Sequence, residues 1–188
     1  MSGKEKWILA SQSPRRKEIL KEQQVDFDIE VHPANEYFDP NLDLDAALLQ
    51  VAAAKAAPLA DKYPDRYVLS ADTIVVFEGK ILGKPADEKE AAKTLRALSG
   101  KEHLVKTGVV LQKGKERKEQ VVATKVFFRN LSDTEIDAYV KSGRCMDKAG
   151  SYGIQETDFV EKIDGSYTNV VGLPAELIAK WKEQTEAV

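Results

Sequence analysis

Cysteine is nearly absent from this chain of 188 residues: Cys145 stands alone, so no intrachain disulfide can form and a reducing compartment is expected. Histidine is almost as scarce. Neither His32 nor His103 has metal-ligand spacing to a partner, which argues against a zinc site. There is no basic excess either. The formal net charge is −3, where a general nucleic-acid binder carries a positive balance, so contact with polyanions should be local and specific. Apolar runs are short: nothing approaches the length of a membrane span, and the run after MSGKEKW is too brief for a signal peptide. Neither GxxxxGK[ST] nor GxGxxG occurs, so no P-loop or dinucleotide fingerprint is available. What remains, 43% hydrophobic and 31% charged residues, is the balance of an ordinary globular, cytoplasmic protein with one α/β core.

The most informative stretch is Ile8 to Leu20, ILASQSPRRKEIL. Its apolar start reads as the end of a buried strand. Ser13-Pro14 reads as a helix start, since Ser is a favoured N-cap and Pro suits the first helical position. Arg15 and Arg16 then fall in the first turn, where the macrodipole already supplies positive charge. One reading sends both arginines into water at a small cost. The other places an anion among them, which makes strand, Ser-rich turn and helix start a phosphate site.

Further along, Phe27, Ile29 and Val31 alternate as a half-buried strand, and a loop from His32 to Asn41 carries Glu36. Leu44 to Leu59 has helical spacing, with Pro58 expected to kink the helix or end it early. Lys55 sits on the apolar stripe, as a snorkelling side chain or as an ammonium aimed into a site. A strand from Tyr67 to Ala71 is expected to stop at Asp72-Thr73 and resume as Ile74 to Phe77. Turning at Glu78-Gly79-Lys80 and crossing Ile81-Leu82, the chain reaches Gly83-Lys84-Pro85, a second candidate lysine. Asp87 with Glu90, and Ser132 with Glu135, have capping-box spacing. Leu104–Leu111 and Val121–Phe128 read as antiparallel strands linked by a charged tip over 113–118. The segment 147–153, DKAGSYG, is a loop leading to Gln155. A strand over Phe159–Ile163 and a helix over Pro174–Glu183 complete an α/β fold with a mixed sheet. Two carboxylates, Glu36 and Asp72, and four cations, Arg15, Arg16, Lys55 and Lys84, are the parts of a metal-assisted phosphate-transfer site.

These segments, together with AAAKA around Lys55, SADTIVVFEGKILGKPAD at 70–87, LSGKEHLVKTGV at 98–109, MDKAGSYGIQ at 146–155 and GSYTNVVGLP at 165–174, resemble the Maf family of nucleoside triphosphate pyrophosphatases over nearly the whole chain. The resemblance implies a single domain over 1–188. Its fold would be like that of inosine triphosphatases, an elongated mixed sheet with flanking helices and a cleft between two lobes, often in a homodimer. It implies a house-cleaning hydrolase that uses Mg²⁺ or Mn²⁺ to split a nucleoside triphosphate into monophosphate and pyrophosphate. Position by position, Asp72 matches the family's proton acceptor and Glu36 an acidic residue that helps hold the metal. Ser11, Arg16, Lys55 and Lys84 match triphosphate contacts, the two lysines counted with Asp72 in the catalytic set. Arg15, Thr73 and Gln155 match positions that mark the subfamily acting on dTTP and UTP.

The Gln155 amide offers a donor and an acceptor, the complement of an imide edge. Two departures stand out. Asn35 replaces a second acid common beside Glu36, and the segment ETDFVEKI after Gln155 lacks a glycine and is shorter than usual. The rival expectation is a nucleotide-sensing regulator of septum formation that does not hydrolyse its ligand. Such a sensor has use for the cations but none for Glu36 and Asp72 together. Neither a membrane nor a nucleic acid is expected as a partner.

Overall fold

Three short or interrupted apolar runs build the parallel end of the sheet. In the computed structural model, which describes residues 5–187, strand β1 (Trp7–Leu9) lies between β2 (Phe27–Ile29) and β3 (Val68–Phe77), parallel to both. The first four residues of MSGKEKW, and the last of the expected 1–188 domain, lie outside the described residues. Strand β4 (Lys80–Leu82) folds back antiparallel on β3. Strands β5 (Glu102–Lys113) and β6 (Glu116–Phe128) form a hairpin, and β7 (Val160–Asp164) pairs antiparallel with β6. Among the described residues the order is β2-β1-β3-β5-β6-β7, with β4 on β3, giving a mixed seven-stranded sheet. Helices α1 (Pro14–Glu22), α2 (Leu44–Lys62), α3 (Glu88–Leu98), α4 (Asp133–Lys141), α5 (Tyr167–Val171) and α6 (Ala175–Glu186) accompany it. The expected α/β class with a mixed sheet is what the chain adopts. Among the described residues no helix is long and apolar enough to cross a membrane.

The chain divides into two units, and β3, β5 and β6 contribute residues to both. The first holds the described residues up to Asp72, Thr107–Val122, and those from Gly172 onward. One cluster of its core is rich in small side chains, Ala52, Ala53, Ala56 and Ala60 of α2 packing with Ile8, Leu59, Val68 and Val110. Alanines let the helix approach the strands closely, and Gly108 completes the fit: a Cβ there would stand 2.9 Å from Leu48 Cγ. The second unit, Thr73–Lys106 with Ala123–Val171, has an aromatic core. Phe128, Tyr152 and His103 meet edge to face, and Tyr139 packs on Phe159 in the same way. Cys145 is buried in that core, a structural thiol whose pKa burial pushes up.

Several boundaries differ from expectation, each for a local reason. Helix α2 runs past Pro58 to Lys62, because packing along its alanine face outweighs one missing N–H. Strand β3 does not stop at Asp72-Thr73 but continues through both residues to Phe77. Strand β2 ends at Ile29, at the edge of the sheet, and Ile29 and Val31 are exposed rather than half-buried. The charged link over 113–118 is mostly strand, with only Gly114-Lys115 at the turn. Helix α5 was not expected at all; it follows the Gly165-Ser166 turn, where the Ser166 hydroxyl accepts from the Asn169 N–H.

Candidate functional site

In the first unit the Ser-rich turn winds back on itself before the helix begins. The Ser11 hydroxyl accepts from the Ser13 N–H at 3.2 Å, and the Ser13 hydroxyl caps α1 by accepting from the Arg16 N–H at 3.3 Å. Pro14 occupies the first helical position and no acid stands in the first turn. The Arg16 guanidinium does not point into water. Its Nε donates to the Gly172 carbonyl at 2.8 Å and its Nη1 to the Ser11 hydroxyl at 3.4 Å. Burial lowers the pKa of Arg16 from its ordinary value, Asp72 pulls it back up, Arg15 lowers it and Glu36 raises it. These four groups therefore share one electrostatic neighbourhood.

The second part of the site is set by a buried hydroxyl. Ser70 on β3 donates to the Ala52 carbonyl of α2 at 2.6 Å, which fixes the helix against the strand. Lys55 lies three residues on from Ala52, on the same helical face, and Asp72 two residues on from Ser70, on the same strand face. Lys55 Nζ consequently meets Asp72 Oδ1 at 3.1 Å and the Ala71 carbonyl at 3.5 Å. The loop after β2 brings in Glu36, whose Oε1 is 3.0 Å from the same ammonium. Lys55 is 16% exposed and Asp72 15%, while the Glu36 side chain is largely in solvent. Lys55 thus holds its ammonium against two carboxylates rather than reaching into open water.

Ser11, Arg16, Glu36, Lys55 and Asp72 are thus gathered in the first unit, with Arg15 partly buried beside Arg16. The other three predicted residues belong to the second unit. Thr73 is half-buried on β3, and strand alternation turns its side chain to the face opposite Asp72. Lys84 is exposed in the loop after β4, and Gln155 is exposed in a turn after the short 3₁₀ segment Ala149–Ser151. Gly172, the acceptor for Arg16, was missed. It stands in GSYTNVVGLP, where a carbonyl leaves no side-chain signal.

Two carboxylates sharing one cation at about 3 Å already surround a positive centre with oxygen. Mg²⁺ takes this kind of set, one or two carboxylates completed by substrate phosphates and water. Among the described residues no group of three or more His, Cys, Asp or Glu could hold a metal, so phosphate oxygens would have to complete the shell. Glu36 and Asp72 fit such an ion.

Comparison with known proteins identifies the family. The family described as Maf-like protein matches residues 6–184. A dTTP/UTP pyrophosphatase of Pyrococcus furiosus is 49% identical over 179 residues, 93% of each chain. Another of that name from Geobacillus sp. (strain WCH70) is 47% identical over 169 residues, 89% of this chain and 91% of its own. One from Desulfotalea psychrophila is 42% identical over 178 residues, 92% of this chain and 91% of its own. With its Ser-capped arginine helix and its Lys55–Asp72–Glu36 cluster, this chain belongs to the Maf family.

Proposed function

We propose that the protein hydrolyses dTTP and UTP to the monophosphate and pyrophosphate, clearing nucleotide pools. The observation that carries this reading is the convergence of Glu36 and Asp72 on Lys55, in the electrostatic reach of Arg16. A protein that only senses nucleotides gains nothing from two carboxylates beside its phosphate-binding cations. The names of the relatives support the same choice of reaction and base.

In this reading Arg16, braced by Gly172 and Ser11, presents its guanidinium to the phosphates with little freedom left to lose. Lys55 exchanges part of its contact with the carboxylates for phosphate oxygens and offsets charge that develops on them. Asp72 holds Lys55 through Oδ1 and offers Oδ2 to orient a water and take its proton. The water oxygen bonds to the α-phosphorus, the bond from that phosphorus to the α–β bridging oxygen breaks, and pyrophosphate leaves. A Mg²⁺ or Mn²⁺ ion held by Glu36 and Asp72 would neutralise phosphate charge and acidify bound water. Lys84, Arg15, Thr73 and Gln155 take their roles from the family match, Lys84 and Arg15 on the phosphates, and Arg15, Thr73 and Gln155 as the marks of the subfamily acting on dTTP and UTP.

The reading extends to a homodimer in the cytoplasm. Exposed Ile29, Val31, Tyr37 and Leu42 support the first, and the lone buried thiol of Cys145 the second. Sedimentation at the mass of one chain would remove the dimer.

The main test is pyrophosphate release from a panel of nucleoside triphosphates with Mg²⁺ or Mn²⁺, then with chelator. Release from dTTP and UTP well above GTP and ATP, lost with chelator and with Asp72→Asn, is expected. Binding without release from any triphosphate would replace the enzyme with the sensor.

A further inference from the structure

Outside the site just described, the most deeply buried ammonium of the second unit belongs to Lys148, 8% exposed. Its Nζ donates to the Arg144 carbonyl at 2.6 Å and meets Asp147 Oδ1 at 3.0 Å and Glu156 Oε1 at 2.9 Å. The chain of contacts continues: Glu156 Oε2 accepts from the Tyr139 hydroxyl at 3.2 Å, and that hydroxyl oxygen accepts from the Gly153 N–H at 3.1 Å. A backbone bond from the Glu156 N–H to the Gly153 carbonyl, 3.2 Å, closes the turn. The turn is therefore gripped at Gly153 and at Glu156, and Gln155 lies between the two grips.

The same segment is seated at its other end. The Gly150 N–H donates to the Gly83 carbonyl, next to Lys84, at 3.2 Å. Gly150 has φ +72°, and a Cβ there would stand 2.9 Å from a Val75 methyl, so only glycine fits. Burying an ammonium is unfavourable unless its protons are matched, and removing it strands the groups that match it, so Lys148, Asp147 and Glu156 are held as one unit.

We propose that Lys148 is a positioning residue for choice of base, acting through Glu156 and Tyr139 to fix the turn that carries Gln155. The inference rests on the assignment of Gln155 as the base-facing residue. Hydrogen bonding separates similar ligands only where the protein group is held in place and a wrong partner leaves it unpaired. The Gln155 side chain has three rotatable bonds of its own, so selection between an imide edge and the amino-pyrimidine edge of cytosine requires that its backbone does not move as well.

The test is kcat/KM for dTTP and dCTP in the intact protein, Lys148→Met, Lys148→Arg, Gln155→Ala and the Lys148→Met/Gln155→Ala double variant. Lys148→Met should narrow the dTTP:dCTP ratio by about tenfold, through KM for dTTP more than through kcat. Lys148→Arg, which retains the charge and donors, should recover part of the ratio. In the Gln155→Ala background Lys148→Met should change the ratio no further, because the two residues act as one unit. A ratio unchanged in Lys148→Met but collapsed in Gln155→Ala overturns the proposal while keeping Gln155. A ratio unchanged in Gln155→Ala removes the base-reading assignment and this inference with it. If Lys148→Met does not fold, Glu156→Ala cuts the same link from the side nearer solvent and is read in the same way.

Discussion

Lys55 and Lys148 are held in nearly the same way. Each ammonium is largely buried, and each meets two carboxylates and one backbone carbonyl. Their surroundings differ. Around Lys55 the next groups out are a second cation, Arg16, and a helix start with no acid in its first turn, so further positive charge lies beside the carboxylates. Around Lys148 the next group out is the Tyr139 hydroxyl, which closes the network on the chain's own Gly153 N–H. A buried ion-pair cluster is thus no mark of an active site in itself. What sets the Lys55 cluster apart is the second cation and the helix start that stand beside it.

This difference is most directly broken by exchanging each lysine for methionine. Lys55→Met should reduce kcat for pyrophosphate release by about a hundredfold or more, the scale of losing one charge-stabilising donor. Its cost in stability should be smaller than that of Lys148→Met. Lys148→Met should cost about 2 kcal/mol in urea unfolding, below the usual loss for a broken buried pair because Asp147 and Glu156 both reach solvent. Its effect on kcat should stay small beside its effect on selectivity. If Lys148→Met lost turnover and Lys55→Met lost only stability, the two roles would have to be exchanged.

The sequence made one of these lysines legible and hid the other. Lys55 interrupts an apolar helical stripe, and such an interruption is visible in a periodic segment. Lys148 sits in DKAGSYG, which has no period to interrupt, and its decisive partner Glu156 is brought back by a turn that sequence spacing does not describe. Asp72 was singled out for a reason that did not hold: a carboxylate in an apolar run reads as a strand end, but the β3 backbone continues and only the side chain leaves the core. Capping signals were the most reliable, because Ser13, Asp87 and Ser132 act on backbone groups within four residues. Pro58 misled for the opposite reason: its penalty is local, and the packing that offsets it is not.

Mild acid probes the second unit, where His103 and Glu135 both lie. His103 is buried against Phe128 and Tyr152, with Nε2 2.6 Å from the Tyr152 hydroxyl and no partner for Nδ1 among the described residues. Burial lowers its pKa from 6.5 to about 4. The unfolded chain therefore binds the extra proton first. The contribution of His103 is complete above pH 6.5 and is lost as pH falls toward 4, by about 3 kcal/mol over the whole window. Glu135, held down to about 2 by hydrogen bonds from Arg129 and then from the Ser132 N–H, yields only below the ordinary glutamate range. Urea midpoints of the intact protein should thus fall between pH 6.5 and 4.5, and His103→Gln should flatten that slope. A slope that survives the substitution would shift the acid sensitivity away from the aromatic core.

The smallest expected effect uses one motif twice. Ser132 caps α4 in a full capping box: its hydroxyl accepts from the Glu135 N–H, and Glu135 accepts in return from the Ser132 N–H at 2.9 Å. Ser13 caps α1 through its hydroxyl to Arg16 N–H, with Pro14 already fixing the first helical φ. Ser132→Ala should cost about 1 kcal/mol in urea unfolding and leave KM for dTTP where it was. Ser13→Ala should cost less stability, because proline holds the helix start, yet raise KM by about threefold as the Arg16 backbone loosens. If KM did not move, the side-chain bonds from Arg16 to Gly172 and Ser11 would be sufficient to aim the guanidinium. The cap of α1 would then be scaffold like that of α4, and the difference between the two regions would reside in side chains alone.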